Sequence, residues 1–310
     1  MRANKPPRVI AEAAEAFLLQ KQVNGCSVRT IEVYRFWLDR LAAVIPDTAA
    51  LDAIATTKFF VSLRERAVSA STHHQAYRTI KTFVRWLIAI RALRVNPLDG
   101  LAVRTPKTLP AVPTEEELAA VLRACLDSAE GLRNRATILV MSDAGLRRSE
   151  GLHLLVEDWH PHERSLFVRS GKGAKDRTVF VGATTARALR AWLSIHPQPT
   201  PEAWLFCQRD GRPLTNRGLI TVLHRLSARA GLPTERRLHP HALRHLAATM
   251  WLRNGVGIDE TRRMLGHNSL NTTLRYSSLV SADLQRAHRE AGAIDRLGLD
   301  GLQGPRRRPA

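Results

Sequence analysis

Two arginines and a histidine in the second half of the chain are of residue types that can bind phosphate. Arg147 lies in the run Ala-Gly-Leu-Arg-Arg-Ser-Glu at 144–150, and His241 and Arg244 lie in His-Pro-His-Ala-Leu-Arg-His at 239–245. Residues three apart on a helix share a face, so His241 and Arg244 can meet one phosphate together. The planar fork of arginine donates two parallel hydrogen bonds to phosphate oxygens and stays charged at any working pH. Taken alone, the first run is more typical of a helix corner with solvated arginines.

The sequence around Arg147 also predicts how that side chain is presented. Gly145 is expected to end the preceding helix in the left-handed conformation that glycine adopts freely. Arg147 then projects from a tight turn, and Ser149 is expected to cap the next helix. In the run 239–245, no Cys or carboxylate stands at ligand spacing beside the histidines, which makes a metal site a poor alternative. We assign His245 to packing or to supporting hydrogen bonds.

A third run places lysines and glycines at the tip of a predicted hairpin. Residues 170–177 read Ser-Gly-Lys-Gly-Ala-Lys-Asp-Arg and separate two β-prone stretches, 166–169 and 178–181, which predicts a hairpin. The run is not a P-loop, because a P-loop needs Gly-x-x-x-x-Gly-Lys-Ser/Thr leading into a helix. A hairpin can carry Lys172 or Lys175 into a groove or towards a leaving group. The alternative is a charged surface turn, the commoner role of such a run when it stands alone.

A tyrosine follows a histidine at a fixed distance near the end of the helical region. The run 265–276 reads Leu-Gly-His-Asn-Ser-Leu-Asn-Thr-Thr-Leu-Arg-Tyr, in which Gly266 is expected to end a short helix. His267 comes next, and Tyr276 lies nine residues after it. A phenol can act as a nucleophile, although it is a weak one at its free pKa of about 10. The alternative interpretation is that Tyr276 is a half-buried core tyrosine. The chain has 3 tyrosines in total, which slightly weakens this alternative.

Helices dominate the predicted second half of the chain. Thr114 and Glu117 have the spacing of a capping box at a helix start. Apolar periodicity predicts further helices, which lie near 183–194, 215–230, 240–254 and 258–265.

The first 95 residues read as helices with short breaks. Ser27 is expected to cap a helix running to Val44, on which one apolar face is formed by Val33, Phe36, Trp37, Leu41 and Val44. A second helix is expected to start near Ser71 and to stop at Asn96-Pro97, because proline disfavours helical geometry in the residue before it. Its predicted apolar face contains Tyr77, Ile80, Phe83, Val84, Leu87 and Ile88.

These elements predict a mainly α fold with a small antiparallel β-sheet and two domains. The stretch 99–113 contains three prolines and little periodicity, which is typical of a linker. The predicted boundaries are 1–98 for an N-terminal helical domain, 99–113 for the linker, 114–291 for a C-terminal domain and 292–310 for a basic flexible tail.

The charge of the chain narrows the class of partner. Lys and Arg total 47 against 28 acidic residues, a formal net charge of +19, which favours a polyanion such as nucleic acid. The alternative is an ordinary protein with an arginine-rich composition. Three isolated cysteines without CxxC spacing fit a reducing, cytoplasmic location. No secretion signal is expected at the start, and the most apolar stretch, 83–93, is too short and too charged to span a bilayer.

Together the four runs resemble the tyrosine recombinase (phage integrase) family, most closely its Xer-like bacterial members. The family pattern is an Arg in Gly-Leu-Arg-x-Ser-Glu, a Lys in a Gly-Lys-Gly hairpin, His-x-x-Arg, Leu-Gly-His, and a Tyr nine residues beyond that His. In this sequence the matching positions are Arg147, Lys172, His241, Arg244, His267 and Tyr276. The resemblance covers roughly 9–290. One small departure is Ala144, where the family often has Thr.

The resemblance implies an N-terminal SAM-like core-binding domain and a catalytic domain that cuts and rejoins DNA without metal, ATP or another cofactor. It implies that Tyr276 attacks the scissile phosphate, leaving a 3′-phosphotyrosine and a free 5′-hydroxyl. The implied supporting roles are phosphate clamping by Arg147 and Arg244, protonation of the leaving oxygen by Lys172 or Lys175, assistance to proton transfer by His241, and a hydrogen bond to the phosphate from His267.

The implied partner is double-stranded DNA with inverted-repeat sites, bound as a homo- or hetero-tetramer on two DNA sites. The stretch 281–291 could be a helix that docks on a neighbouring subunit, or a helix that packs on its own chain. Three other functions remain open at this point: a monomeric type IB topoisomerase, a catalytically silent DNA-binding regulator with the same fold, and a generic basic nucleic-acid binder.

Overall fold

The computed structural model describes residues 7–66, 68–103, 112–169, 176–266 and Thr273. The chain divides into two compact units, Met1–Thr108 and Leu109–Ala310. The described part of the first unit is helical, and that of the second combines helices with a three-stranded antiparallel sheet. The predicted fold class, mainly α with a small antiparallel sheet, is confirmed.

The described part of the first unit contains four α-helices, which are α1 (Ile10–Val23), α2 (Val28–Val44), α3 (Ala53–Glu65) and α4 (Ala70–Ala89). Side-chain oxygens cap three of their starts: Ser27 accepts from the Thr30 amide, Asp52 from Ala55 and Ser69 from Thr72. The predicted cap at Ser27 is thus confirmed. The core of the unit is centred on aromatic and aliphatic side chains that include Phe17, Leu38, Leu41, Phe59, Phe83 and Leu87.

The predicted apolar face of α2 is partly wrong. Trp37 and Leu41 are buried, but Phe36 is 46% exposed and Val44 is 58% exposed. The buried stripe is instead formed by Ile31, Trp37, Leu38 and Leu41. The exposed ring of Phe36 is covered by a cation–π contact, with the guanidinium carbon of Arg40 3.4 Å from the ring centre.

Helix α4 carries the predicted apolar face but ends earlier than expected. Ile80, Phe83, Val84 and Leu87 are buried on it. The helix ends at Ala89 rather than at Asn96-Pro97. Arg91 adopts a left-handed backbone (φ 59°), and the amide of Ala92 donates to the carbonyl of Leu87 at 2.8 Å. A local backbone turn, and not the proline, therefore terminates α4.

The described part of the second unit runs through seven α-helices and three strands. The helices are α5 (Glu115–Arg123), α6 (Ala129–Asp143), α7 (Arg148–Leu152), α8 (Ala183–Leu193), α9 (Asn216–Arg229), α10 (Pro240–Arg253) and α11 (Ile258–Leu265). The strands are β1 (Trp159–His160), β2 (Ser165–Val168) and β3 (Arg177–Phe180), paired in the order β1-β2-β3. The predicted capping box forms, since Thr114 and Glu117 each bond the other's backbone amide.

The sheet and α6 set the position of the chemistry-bearing runs. Strands β2 and β3 pair from Ser165↔Phe180 to Val168↔Arg177, so the predicted hairpin strands are present and shifted by one residue. Strand β1 was not predicted, because two residues are too short to show alternation. At the end of α6, the Asp143 carboxylate accepts from the Gly182 amide at 2.7 Å and thereby ties α6 to the start of α8.

Candidate active site

The turn that presents Arg147 is built around a glycine. Gly145 follows α6 with φ +59°, and a Cβ added to it would lie 2.8 Å from the ring of Trp251. Both the backbone conformation and the close packing therefore require glycine there, as predicted. The predicted cap is wrong: Ser149 lies inside α7, and the Glu150 carboxylate accepts from the Arg147 amide at 2.8 Å instead.

Arg244 projects from α10 into the interior and joins this turn to the end of α11. Its side chain is only 5% exposed. One guanidinium nitrogen donates to the carbonyl of Gly145 and the other to the carbonyl of Leu265, both at 2.7 Å. Charge-assisted bonds to two buried carbonyls hold the planar group in one orientation.

Arg147 also bonds the backbone at the end of α11. Its side chain is 35% exposed, donating to Glu150 at 2.6 Å and to the carbonyl of Gly266 at 2.7 Å. The two predicted arginines thus bind consecutive carbonyls, those of Leu265 and Gly266, although they are far apart in sequence. Gly266 ends α11 as predicted and adopts a left-handed conformation, with φ +64°. The structure therefore brings Arg147 and Arg244 into one site beside the end of α11.

Two further charged residues, Glu150 and Arg177, belong to this cluster, and neither was predicted to be a site residue. The carboxylate of Glu150 is buried and accepts from Arg177 at 2.9 and 3.1 Å, in addition to Arg147. Arg244 lies 3.8 Å from the same carboxylate. Both residues stood inside the quoted runs, Glu150 at the end of 144–150 and Arg177 at the end of 170–177. The available signal was the spacing of Glu150, which lies three residues after Arg147 and can therefore pair with it.

The carboxyl of Glu150 is held in its ionised form. Burial alone would raise the pKa of Glu150, but hydrogen bonds from Arg177 and from the Arg147 backbone outweigh burial and lower the pKa to about 2. The cluster therefore contains three guanidinium groups and one carboxylate, an excess of positive charge. An excess of this kind attracts an anion such as a phosphodiester.

His241 lies in the first turn of α10, one helical turn before Arg244. Its side chain is exposed, yet desolvation by the surrounding protein lowers the pKa of His241, and the positive charges of Arg148 and Arg244 lower it further. The ring is therefore neutral at pH 7 and able to accept a proton.

The start of α10 is capped by a histidine. The Nδ1 atom of His239 accepts from the Ala242 amide at 3.1 Å, and Pro240 occupies the first helical position. Desolvation, with nearby His241 and His224, lowers the pKa of His239 and keeps Nδ1 free to accept. A side-chain cap thus fixes the helix that carries His241 and Arg244.

His239→Ala is expected to lower the free energy of unfolding by about 1 kcal/mol at pH 8, because the Ala242 amide loses its acceptor. His239→Asn keeps an acceptor and is expected to be nearer to wild type. Because folding lowers the pKa of His239, the stability of the wild type falls as the pH drops below the unfolded-state pKa of about 6.5. The stability of His239→Asn does not depend on this protonation, so the variant should become more stable relative to the wild type at low pH. Urea unfolding at pH 8 and pH 5.5 measures both effects. Equal stability of the Ala and Asn variants at pH 8 would contradict the capping role.

The other predicted site residues, Lys172, Lys175, His267 and Tyr276, lie outside the described residues. Among the residues that are described, no group of His, Cys, Asp or Glu is arranged to hold a metal ion. Within the same ranges, no helix is both long enough and apolar enough to cross a membrane.

Comparison with known proteins identifies the class. The Phage integrase family model matches residues 112–282, and the model for the phage integrase N-terminal SAM-like domain matches residues 14–92. The chain therefore belongs to the phage integrase family. Its enzyme class is that of the tyrosine-type site-specific recombinases, which break and rejoin DNA through a tyrosine intermediate.

Within this family the chain is Xer-like. It is 36% identical over 286 residues to the tyrosine recombinase XerC of Myxococcus xanthus, covering 86% of this chain and 92% of the relative. It is 28% identical to XerA of Pyrococcus furiosus, covering 93% and 96%.

Solved structures show the same fold. XerH bound to a palindromic difH substrate superposes with a TM-score of 0.70 at 22% identity, covering 94% of this chain and 91% of that one. The Tn1549 transposon integrase in complex with transposon right end DNA superposes with a TM-score of 0.76 at 17% identity, covering 90% and 99%.

Proposed function

We propose that this recombinase cuts and rejoins double-stranded DNA at inverted-repeat sites, with Tyr276 as nucleophile and Arg147 and Arg244 as the phosphate clamp. The observation that carries the proposal is the convergence of the two arginines on the carbonyls of Leu265 and Gly266. Tyr276 follows Gly266 by ten residues in the chain. The DNA partner is also supported by solved relatives whose structures contain DNA.

In the proposed step, the phenolic oxygen of Tyr276 forms a bond to phosphorus and the bond from phosphorus to O5′ breaks. The phenolic proton passes to His241, and Lys172 gives a proton to the leaving O5′. The products are a 3′-phosphotyrosine and a free 5′-hydroxyl. Attack by a 5′-hydroxyl, of the same or of another strand, reverses the step and conserves the bond energy. Lys175 is the alternative proton donor, and His267 hydrogen-bonds the phosphate.

The proposed role of the arginines is electrostatic. The transition state places extra negative charge on the non-bridging oxygens, and preorganised donors at such oxygens contribute about 3–4 kcal/mol each. We place both guanidinium groups against the phosphate, and Arg147 is the more exposed of the two. With this charge supplied by guanidinium groups, the reaction needs neither a divalent metal nor ATP.

We further propose the assembly and organisation that the resemblance implies. The active form is a homo- or hetero-tetramer on two DNA sites, in the cytoplasm. The proposed boundaries are 1–98 for the core-binding domain, 99–113 for the linker, 114–291 for the catalytic domain and 292–310 for the tail. They are supported by the two compact units and by the separate ranges that the two family models match.

Chelation tests the metal-independent clamp. Covalent protein–DNA adducts are expected to form to the same extent in EDTA as in magnesium, and without ATP, because the charge on the phosphate is met by guanidinium groups. The measurement is the fraction of labelled DNA that migrates with the protein in an SDS gel. A loss of adduct in EDTA that magnesium restores, while DNA binding is unchanged, would overturn the proposal of a metal-free reaction.

A further inference from the structure

Arg177 joins three segments of the second unit at one point. It begins β3, and it donates through two nitrogens to the carboxylate of Glu150 in α7. Its third contact is with the carbonyl of Met264 near the end of α11, at 3.3 Å. The guanidinium of Arg177 also packs on Gly266, since a Cβ added to that glycine would lie 2.9 Å from one guanidinium nitrogen. Any side chain larger than hydrogen at this position would therefore displace Arg177.

The carboxylate of Glu150 is shared between Arg177 and Arg147. One oxygen accepts from the Arg147 guanidinium at 2.6 Å and from Arg177 at 3.1 Å. The other accepts from the Arg147 amide at 2.8 Å and from Arg177 at 2.9 Å. Arg177 thus fixes both oxygens of the group that orients Arg147, and a bidentate pair defines the plane of the carboxylate as well as its position.

Burial separates the roles of the two arginines. The side chain of Arg177 is 12% exposed, against 35% for Arg147. All three guanidinium nitrogens of Arg177 donate to protein acceptors, whereas Arg147 is exposed enough to contact a ligand. Without Arg177, the Glu150 carboxylate would lose the two bonds that fix its plane, and the cluster would lose one positive charge.

We infer that Arg177 is a positioning residue for strand cleavage, acting on the scissile phosphate through Glu150 and Arg147 and not by touching the DNA. This inference rests on the proposed role of Arg147 as a phosphate clamp. It adds a residue outside the six positions that the family resemblance supplied.

The test compares two DNA substrates that differ only in charge at the scissile position. One carries the ordinary phosphate and the other a neutral methylphosphonate, in a site recovered from covalent adducts. Arg177→Gln is expected to cut the phosphate substrate about 10- to 100-fold more slowly than wild type, because small misplacements of a catalytic group have effects of this size. On the methylphosphonate its deficit relative to wild type should shrink at least tenfold, since no anionic oxygen there needs a correctly placed Arg147.

Two comparisons make the result decisive. Arg147→Ala should show the same relief on the methylphosphonate, and Arg212→Gln, an exposed arginine paired with Asp210, should stay within about twofold of wild type on both substrates. If Arg177→Gln does not fold, Arg177→Lys keeps the charge without the planar fork and should show the same pattern with a smaller deficit.

The outcomes separate the two ideas. Relief for Arg147→Ala but an equal deficit of the Arg177 variant on both substrates would overturn the positioning role and leave the clamp intact. An equal deficit of Arg147→Ala on both substrates would overturn the clamp, and the positioning role with it. Relief for both variants supports both.

Discussion

Tyr276→Phe is expected to bind DNA as tightly as wild type and to form no covalent protein–DNA adduct. The substitution removes only the phenolic oxygen, which is the atom that we propose to bond to phosphorus, and leaves the apolar ring in place. Binding of a basic protein to DNA is spread over many phosphates, and the substitution leaves the formal net charge of +19 unchanged. A mobility-shift assay measures binding, and an SDS gel with labelled DNA measures the adduct.

Tyr77→Phe provides a matched control in the first unit. The hydroxyl of Tyr77 donates to the carbonyl of Leu101 at 3.0 Å, so this variant also loses one phenolic oxygen, but at a structural position. It should keep both binding and adduct formation. Residual adduct in Tyr276→Phe, or loss of adduct in Tyr77→Phe with normal binding, would sink the assignment of Tyr276 as nucleophile.

Arg147→Ala and Arg244→Ala are each expected to lower the rate of strand cleavage by about 10²–10³-fold, while DNA affinity falls far less. Removing one preorganised donor from a developing negative charge has effects of this magnitude. We expect DNA affinity to be spread over many phosphate contacts, so that it changes little when one of them is removed. Single-turnover cleavage and equilibrium binding, measured at the same salt concentration, separate the two quantities. An equal loss of cleavage and of binding would mean that the arginines only hold the DNA.

The two variants should differ in stability, which gives an internal check. Arg244 is almost fully buried and satisfies the carbonyls of Gly145 and Leu265, so Arg244→Ala should cost about 3 kcal/mol of unfolding free energy. Arg147 is partly exposed, and its loss should cost about 1 kcal/mol. Cleavage must therefore be measured at a temperature where both variants are folded. Equal stability of the two variants would contradict the buried bridging role of Arg244.

The sequence predicted the parts of the site whose conformation a single residue dictates. Gly145 takes the left-handed backbone expected of it, because glycine is the residue that adopts it without strain, and Gly266 ends a helix as expected. The capping box at Thr114 and the hairpin strands were likewise local patterns, readable from neighbouring residues. The placement of Arg147 beside Arg244 followed only from the family resemblance, since no local rule links two runs so far apart in sequence.

The parts that the sequence could not supply depend on tertiary contacts. Glu150, and not Ser149, bonds the amide at the start of α7, because the carboxylate is also drawn in by Arg177 and Arg244. In the sequence, Arg177 is typical of a charged residue on a surface turn, and its role depends on a tertiary contact with Glu150. Phe36 had helical periodicity for the core, yet it stays exposed under Arg40.

Mapping the covalent adducts tests the central claim most directly. Purified wild-type protein is incubated with fragmented host DNA, stopped with SDS, and the DNA ends attached to protein are sequenced, with Tyr276→Phe in parallel. A site-specific recombinase should give wild-type adducts clustered at one short inverted repeat, joined through the 3′ phosphate, and none in the variant. Adducts scattered without sequence preference would contradict site-specific recombination and indicate a topoisomerase-like activity, and intact binding without adducts on DNA that contains the site would indicate a catalytically silent DNA-binding protein.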